Sequence, residues 1–245
     1  MKQMFKMLFV VLVVALVSIS SVQAYDVNKD LKNLGPDAYD IAVILNGTET
    51  VTEHYDGYPL GYEKVGWFNQ FSHGPENGNT KLHWQSFNDG TDNIINTDQV
   101  IHVGWSTNDH SSSVKDMYWT DKEGHRIAGS IVFNITSGWN YEQNRVYIHW
   151  EHIYEAPTVI EIRNVRFAIL ASPVPLANLN TENTQLNSQL VPLSGSAQIM
   201  VGPGQTVTRV LPMAVGPTSV VVLRYEVLGA GSDAASLDYV QFSLM

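Results

Sequence analysis

The chain contains no cysteine in its 245 residues. That absence excludes disulfide staples, a thiol nucleophile, a thiolate metal centre and a lipid-bearing cysteine. Basic residues are scarce as well: 14 Lys and Arg stand against 24 Asp and Glu, a formal net charge of -10. Nucleic acids and anionic membranes are gripped through Lys and Arg, so neither is expected as a partner. Two catalytic motifs are also missing. There is no Gly-x-Ser-x-Gly elbow, which disfavours the usual serine-hydrolase layout, and no His-Glu-x-x-His for a zinc hydrolase. Helical periodicity of useful length is absent too. The nearest approach, Leu176 to Leu190, spaces leucines among Asn, Thr and Gln, residues that favour turns and caps.

What is present begins with the first 24 residues. Lys2 and Lys6 lead into an uncharged apolar run from Met7 to Val17, and Ser18 to Ala24 closes on Val22-Gln23-Ala24. A basic start, a short apolar core and a small-x-small ending are the layout of a secretory signal peptide. The core is too short to cross a bilayer comfortably. Residues 1–24 are therefore expected to be a leader, with a mature chain from Tyr25 that works secreted or extracytoplasmic, in a periplasm or at a cell surface. No later apolar stretch reaches bilayer length, so no membrane span is expected.

Residues 25–39 are polar and carry Gly35-Pro36, which reads as a flexible lead-in. Asp40-Ile41-Ala42-Val43-Ile44-Leu45 is then a short β-branched run stopped by Asn46-Gly47, a strand rather than a helix. The same form recurs in Lys81 to Phe87, Gln99 to Trp105, Ile127 to Ile135, Asn144 to Ile153 and Val159 to Leu170. It continues in Ala197 to Val201, Thr206 to Leu211, Ser219 to Leu228 and Leu237 to Leu244. Alternation is strictest from Arg145 to Glu151, where Val146, Ile148 and Trp150 fall on one face and Tyr147, His149 and Glu151 on the other. Many short strands with almost no helix predict an all-β, antiparallel β-sandwich of jelly-roll or immunoglobulin-like character. One domain over residues 40–245 is expected. All six tryptophans precede residue 172, so a subdomain break could fall at 172–196.

Several clusters could carry chemistry. Asp89, Asp92 and Asp98 sit in an Asn/Asp/Gly-rich loop whose oxygens suit a structural calcium ion, though such residues also build ordinary turns. Asp26, Asn28, Asp30 and Asp37 resemble a calcium loop in spacing, but Leu31 stands where a sharp turn needs glycine. His83, His102 and His149 lie on strands that could be neighbours. Glu142, Glu151, Glu155 and Glu161 are the acids available for a glycosidase pair. Trp139, Tyr141, Tyr147, His149 and Glu151 place aromatic rings beside polar groups, a combination suited to sugars and to protein partners. Tyr55, Tyr58, Tyr62, Trp67 and Phe68 form a second aromatic group.

The function expected from these features is a non-enzymatic, exported β-sandwich that binds an extracellular glycan or protein, or serves as a surface-structural protein. No cofactor is required beyond the calcium option. The competing expectations are a carbohydrate-active hydrolase on a jelly roll and a self-assembling surface subunit that uses the apolar C-terminal hairpin.

Overall fold

The computed structural model describes residues 25–33, 35–57, 67–86, 94–97, 99–108, 114–128, 135–152, 159–196, 198–229 and 235–244. Residues 1–24, expected to be a leader, lie outside them. Among the described residues the strands in chain order are β1 (Tyr25–Lys32), β2 (Asp40–Leu45), β3 (Val51–Gly57), β4 (Gln70–Glu76), β5 (Asn79–Gln85), β6 (Val100–Thr107), β7 (Val114–Thr120) and β8 (Ile135–Glu142). They continue with β9 (Arg145–His152), β10 (Ile160–Leu170), β11 (Val191–Pro192), β12 (Gln198–Val201), β13 (Thr206–Val210), β14 (Val220–Gly229) and β15 (Ala235–Ser243). A 3-10 turn spans Leu176–Asn178, and the helix α1 spans Thr184–Gln189. No helix among the described residues is long and apolar enough to cross a membrane.

The strands form antiparallel sheets packed face to face. An eight-stranded sheet runs β11-β10-β14-β15-β1-β6-β3, with β12 also paired to β10. Against it lie a four-stranded sheet, β4-β5-β2-β7, and a three-stranded sheet, β13-β9-β8. Aromatic rings fill the space between the layers. Trp84 of β5 meets Trp105 of β6 at 6.2 Å, and at the solvent-exposed rim His54 of β3 stacks on Phe71 of β4 at 3.9 Å. Under the three-stranded sheet, Trp139 stacks on Phe242 at 4.7 Å and Trp150 meets Tyr225 edge-on at 5.8 Å. The chain is thus an all-β antiparallel sandwich, as its periodicity predicts.

The lead-in expected at residues 25–39 is the largest correction. Tyr25–Lys32 is β1, an interior strand of the large sheet, paired with β15 on one side and β6 on the other. Tyr25, Val27 and Leu31 enter the core, while Asp26 and Asn28 on the opposite face are also buried. Their polarity is answered by partners rather than by water. Gln241 Nε2 donates to Asp26 Oδ2 at 2.7 Å, Asn28 Nδ2 donates to the carbonyls of Leu176 and Leu179, and Asp30 contacts His102 Nδ1. Laid out along one strand face, Asp26, Asn28 and Asp30 cannot wrap a cation, which ends the calcium-loop comparison. Gly104 of β6 is needed beside them, because a Cβ there would lie 2.9 Å from Asn28 Oδ1.

Residues 172–196 do not part the strands. β1 pairs with β15 and β9 with β13, so strands from both sides share sheets. The segment caps the outer face of the large sheet, where Leu176, Leu179, Leu186 and Leu190 pack on Ala168, Val222 and Tyr239. Asn183 caps α1 by accepting from Leu186 N at 3.0 Å. This cover explains the continuous apolar run of β14, which is buried on both faces. β14 and β15 are interior strands, so the C-terminal hairpin offers no free edge for self-assembly. Besides β1, the strands β3, β4, β7 and β11 fall outside the segments marked by periodicity. In the expected strand Ile127 to Ile135, the described residues Ile127 and Ala128 are not strand, and β8 begins at Ile135.

Two stability measurements test this architecture. Deleting residues 25–32 is expected to abolish the cooperative thermal transition followed by far-UV circular dichroism; an unchanged midpoint would restore the flexible lead-in. Trp150 is fully buried, so Trp150→Ala is expected to cost about 3–5 kcal/mol, against about 0.5 kcal/mol or less for Glu151→Ala at the exposed surface. The reverse ranking in denaturant melts would mean that β9 is slipped by one residue.

Candidate functional site

The recognition residues expected on β8 and β9 divide between two faces. Val146, Ile148 and Trp150 are buried, while Tyr147 and His149 are half-buried and Glu151 is exposed on the solvent side. The three-stranded sheet thus brings Tyr147, His149 and Glu151 together, flanked in register by Val210, Thr208 and Thr206 of β13. His149 Nδ1 bonds Thr208 Oγ1 at 2.9 Å. Trp139 and Tyr141 are not part of this strip. Gln143 and Asn144 form a two-residue turn with φ of 51° and 62°, so Glu142 pairs with Arg145, Tyr141 with Val146 and Trp139 with Ile148. Directly paired residues share a face, which sends Trp139 into the core against Phe242. Tyr141 is used structurally, its hydroxyl donating to Val215 O at 2.9 Å.

Asp89, Asp92 and Asp98 lie outside the described residues. Among the described residues no group of three or more His, Asp or Glu is arranged to hold a metal ion. His83, His102 and His149 belong to three different sheets. Glu142 sits beside Arg145, six residues from Glu151, about 20 Å at the rise of a strand. A glycosidase pair needs separations of about 5–10 Å. Glu161 belongs to the eight-stranded sheet, and Glu155 lies outside the described residues. Of the second aromatic group, Trp67 and Phe68 are buried and Tyr55 packs edge-on to His102 at 5.4 Å. Tyr58 and Tyr62 lie outside the described residues.

The structure supplies instead a groove on the outer face of the four-stranded sheet. One wall is the tip of the β4–β5 hairpin, a two-residue turn at Asn77 and Gly78 with φ of 51° and 79°. That Asn-Gly dipeptide is the signal that could have revealed the hairpin from sequence. The opposite wall follows β7. Asp121 Oδ1 accepts from Glu123 N at 3.0 Å and His125 N at 2.8 Å, a tight turn that brings Arg126 back to bridge Thr120. Arg126 then forks onto Asp116, Nη1 to Oδ2 at 2.6 Å and Nη2 to Oδ1 at 3.4 Å, with its guanidinium 4.8 Å from the centre of the Tyr118 ring. The groove encloses about 290 Å³ and is lined by Ile44, Glu76, Asn77, Asn79, Lys115, Asp116, Tyr118 and Arg126. Its apolar surface is Ile44 and Tyr118; its polar groups are amides, carboxylates, an ammonium and a guanidinium. No protein-family model, curated protein or solved structure matches this chain. The groove's own chemistry therefore decides what it can hold.

On the same face, β5 carries His83 opposite Ala42, which in turn pairs with Tyr118. Burial, with the charge of Lys81 adding to it, pushes the His83 imidazole down to a pKa of about 4. His83 is thus neutral near pH 7, and Asp40 Oδ2 at 3.9 Å from its Nε2 is no ion pair. The folded state holds the imidazole neutral while the unfolded chain protonates it near 6.5. Its contribution is therefore complete above pH 6.5 and is lost as the pH falls through about 4. Denaturant titrations between those limits should show a loss of about 3 kcal/mol attributable to this group, and His83→Gln should flatten the profile. A variant whose acid sensitivity parallels that of the native chain would remove His83 as the cause.

Proposed function

We propose that this protein is an exported, non-enzymatic β-sandwich that binds an extracellular glycan in the groove over Tyr118. The observation that carries the proposal is the Arg126–Asp116 fork held above an aromatic ring, opposite the amides of Asn77 and Asn79. A sugar offers apolar C–H faces and pairs of hydroxyls that both donate and accept. Ile44 and Tyr118 supply apolar surface, while planar amide, carboxylate and guanidinium groups match adjacent hydroxyls two at a time. Fixed side chains lower the ordering cost of binding, and both walls are set by hydrogen-bonded turns. The carboxylates in the groove have cationic partners, Asp116 with Arg126 and Glu76 with Lys81 at 3.4 Å. Each serves better as a fixed acceptor than as a general acid. Export follows from the leader-like residues 1–24, and the acid excess suits a neutral ligand better than an anionic one.

A glycan array on the mature protein, followed by calorimetric titration of the ligands found, tests this. Arg126→Ala and Asn77→Ala are each expected to weaken binding about tenfold or more, equivalent to about 1.4 kcal/mol. Tyr147→Ala and His149→Ala should leave the affinity unchanged. The opposite result would move recognition to the three-stranded sheet, and silence across the array would reject a glycan ligand.

A further inference from the structure

The interior of the sandwich holds an ion pair that the groove does not use. Lys29 of β1 and Asp238 of β15 face one another directly across the antiparallel ladder. Their side chains are 5% and 1% exposed, and Lys29 Nζ contacts Asp238 Oδ2. Alternation points both toward the core, Lys29 between Val27 and Leu31, and Asp238 beside Val240 and Phe242. Two ions taken out of water lose more hydration than their attraction ordinarily returns, and apolar residues of similar volume often serve stability as well or better. An amine and a carboxyl group held in contact in a dry interior are, however, the two halves of an amide.

We propose that Lys29 and Asp238 become joined by an isopeptide bond that the folded protein forms by itself. One proton moves from the Lys29 ammonium to the Asp238 carboxylate along their hydrogen bond, leaving a free amine and a neutral acid. The Nζ lone pair then attacks Cγ, and a C–N bond forms as the carbonyl electron pair moves to oxygen. A proton passes from nitrogen to the hydroxyl, the C–O bond breaks, and water leaves with that pair of electrons. The product is a secondary amide and one water; nothing is oxidised or reduced, and no co-reactant is needed.

The surroundings favour each stage. Pairing in the ladder removes the search between amine and acid, the contribution that makes intramolecular reactions fast. An apolar site penalises the two ions and tolerates the neutral amide. Exclusion of water also opposes hydrolysis of the product. Tyr225 of β14 lies opposite Asp238 on the other side of β15, fully buried, with its hydroxyl 3.0 Å from Ser137 Oγ. Tyr25 reaches the same Ser137 Oγ at 2.8 Å. Burial first, and the Asp238 charge with it, raise Tyr225 well above the usual phenol range, so the group across the ladder from Asp238 stays an uncharged hydroxyl and adds no competing anion.

The bond would tie the first described strand to the last across a separation of 209 residues. In a chain without cysteine it would take the place that disulfides occupy in other exported domains. Closing so long a loop also restricts the unfolded chain strongly. It is independent of the groove, and either proposal can fail alone.

Mass spectrometry of the native exported protein decides the matter. After denaturation and proteolysis, a branched peptide is expected that joins the Lys29 segment to the Asp238 segment, one water lighter than their sum. The intact chain should be lighter by the same water. Lys29→Arg, which keeps the charge, is expected to retain its full mass and to melt at a lower temperature. Recovery of both linear peptides from the native protein, at full intact mass, would overturn the bond and leave an ion pair only. Water loss persisting in Lys29→Arg would overturn it equally, because the link would then lie elsewhere.

Discussion

Insertion of β1 between β15 and β6 is the constraint on which the rest of the structure depends. Without it the large sheet would separate into a β6–β3 pair and a group of β10, β11, β12, β14 and β15, since among the described strands only β1 bridges them. Its inner face adds Tyr25, Val27 and Leu31 to the core shared by all three sheets. Its outer face anchors the cap. Asn28 holds the carbonyls of Leu176 and Leu179, while Asp26 fixes Gln241, which bonds both N and O of Val174. Those bonds satisfy backbone groups that the cap would otherwise bury unpaired.

The large aromatic residues go to packing. Trp67, Trp84, Trp105, Trp119, Trp139 and Trp150 are all buried. A sandwich without disulfides gains most from filling the gap between its layers, and tryptophan brings the largest apolar area per residue. Polar turn residues do the opposite work. Asn77, Asn79 and Arg126 stand at the surface because hairpin geometry leaves them there, and together they shape the groove. The core thus takes the tryptophans while turn residues shape the candidate site, and the aromatic-rich segments are poor guides to where that groove lies.

The groove and the buried Lys29–Asp238 pair would serve complementary needs. For the exported role proposed above, a covalent tie between neighbouring strands would hold the fold closed against proteolysis and mechanical load. Ligand recognition requires a rigid surface, since ordering costs subtract from affinity. The four-stranded sheet supplies that surface by resting on the core through Trp84, Trp119, Ile41 and Val43.

Local periodicity by itself determined the class of this protein and the orientation of its clearest strands. Val146, Ile148 and Trp150 point inward because side chains alternate in any strand, whatever its neighbours. β1 was hidden for the opposite reason. Its alternate polar residues are satisfied by partners 72 to 215 residues away, and no local pattern records such a match. The placement of Trp139 followed from a turn at Gln143 and Asn144 that sets the register, though neither residue is glycine. The groove needed Arg126 to fold back over Tyr118, a contact between separate segments. Sequence carries the period of each strand; which strands meet, and in what register, is decided only when long-range hydrogen bonds and core packing are satisfied together.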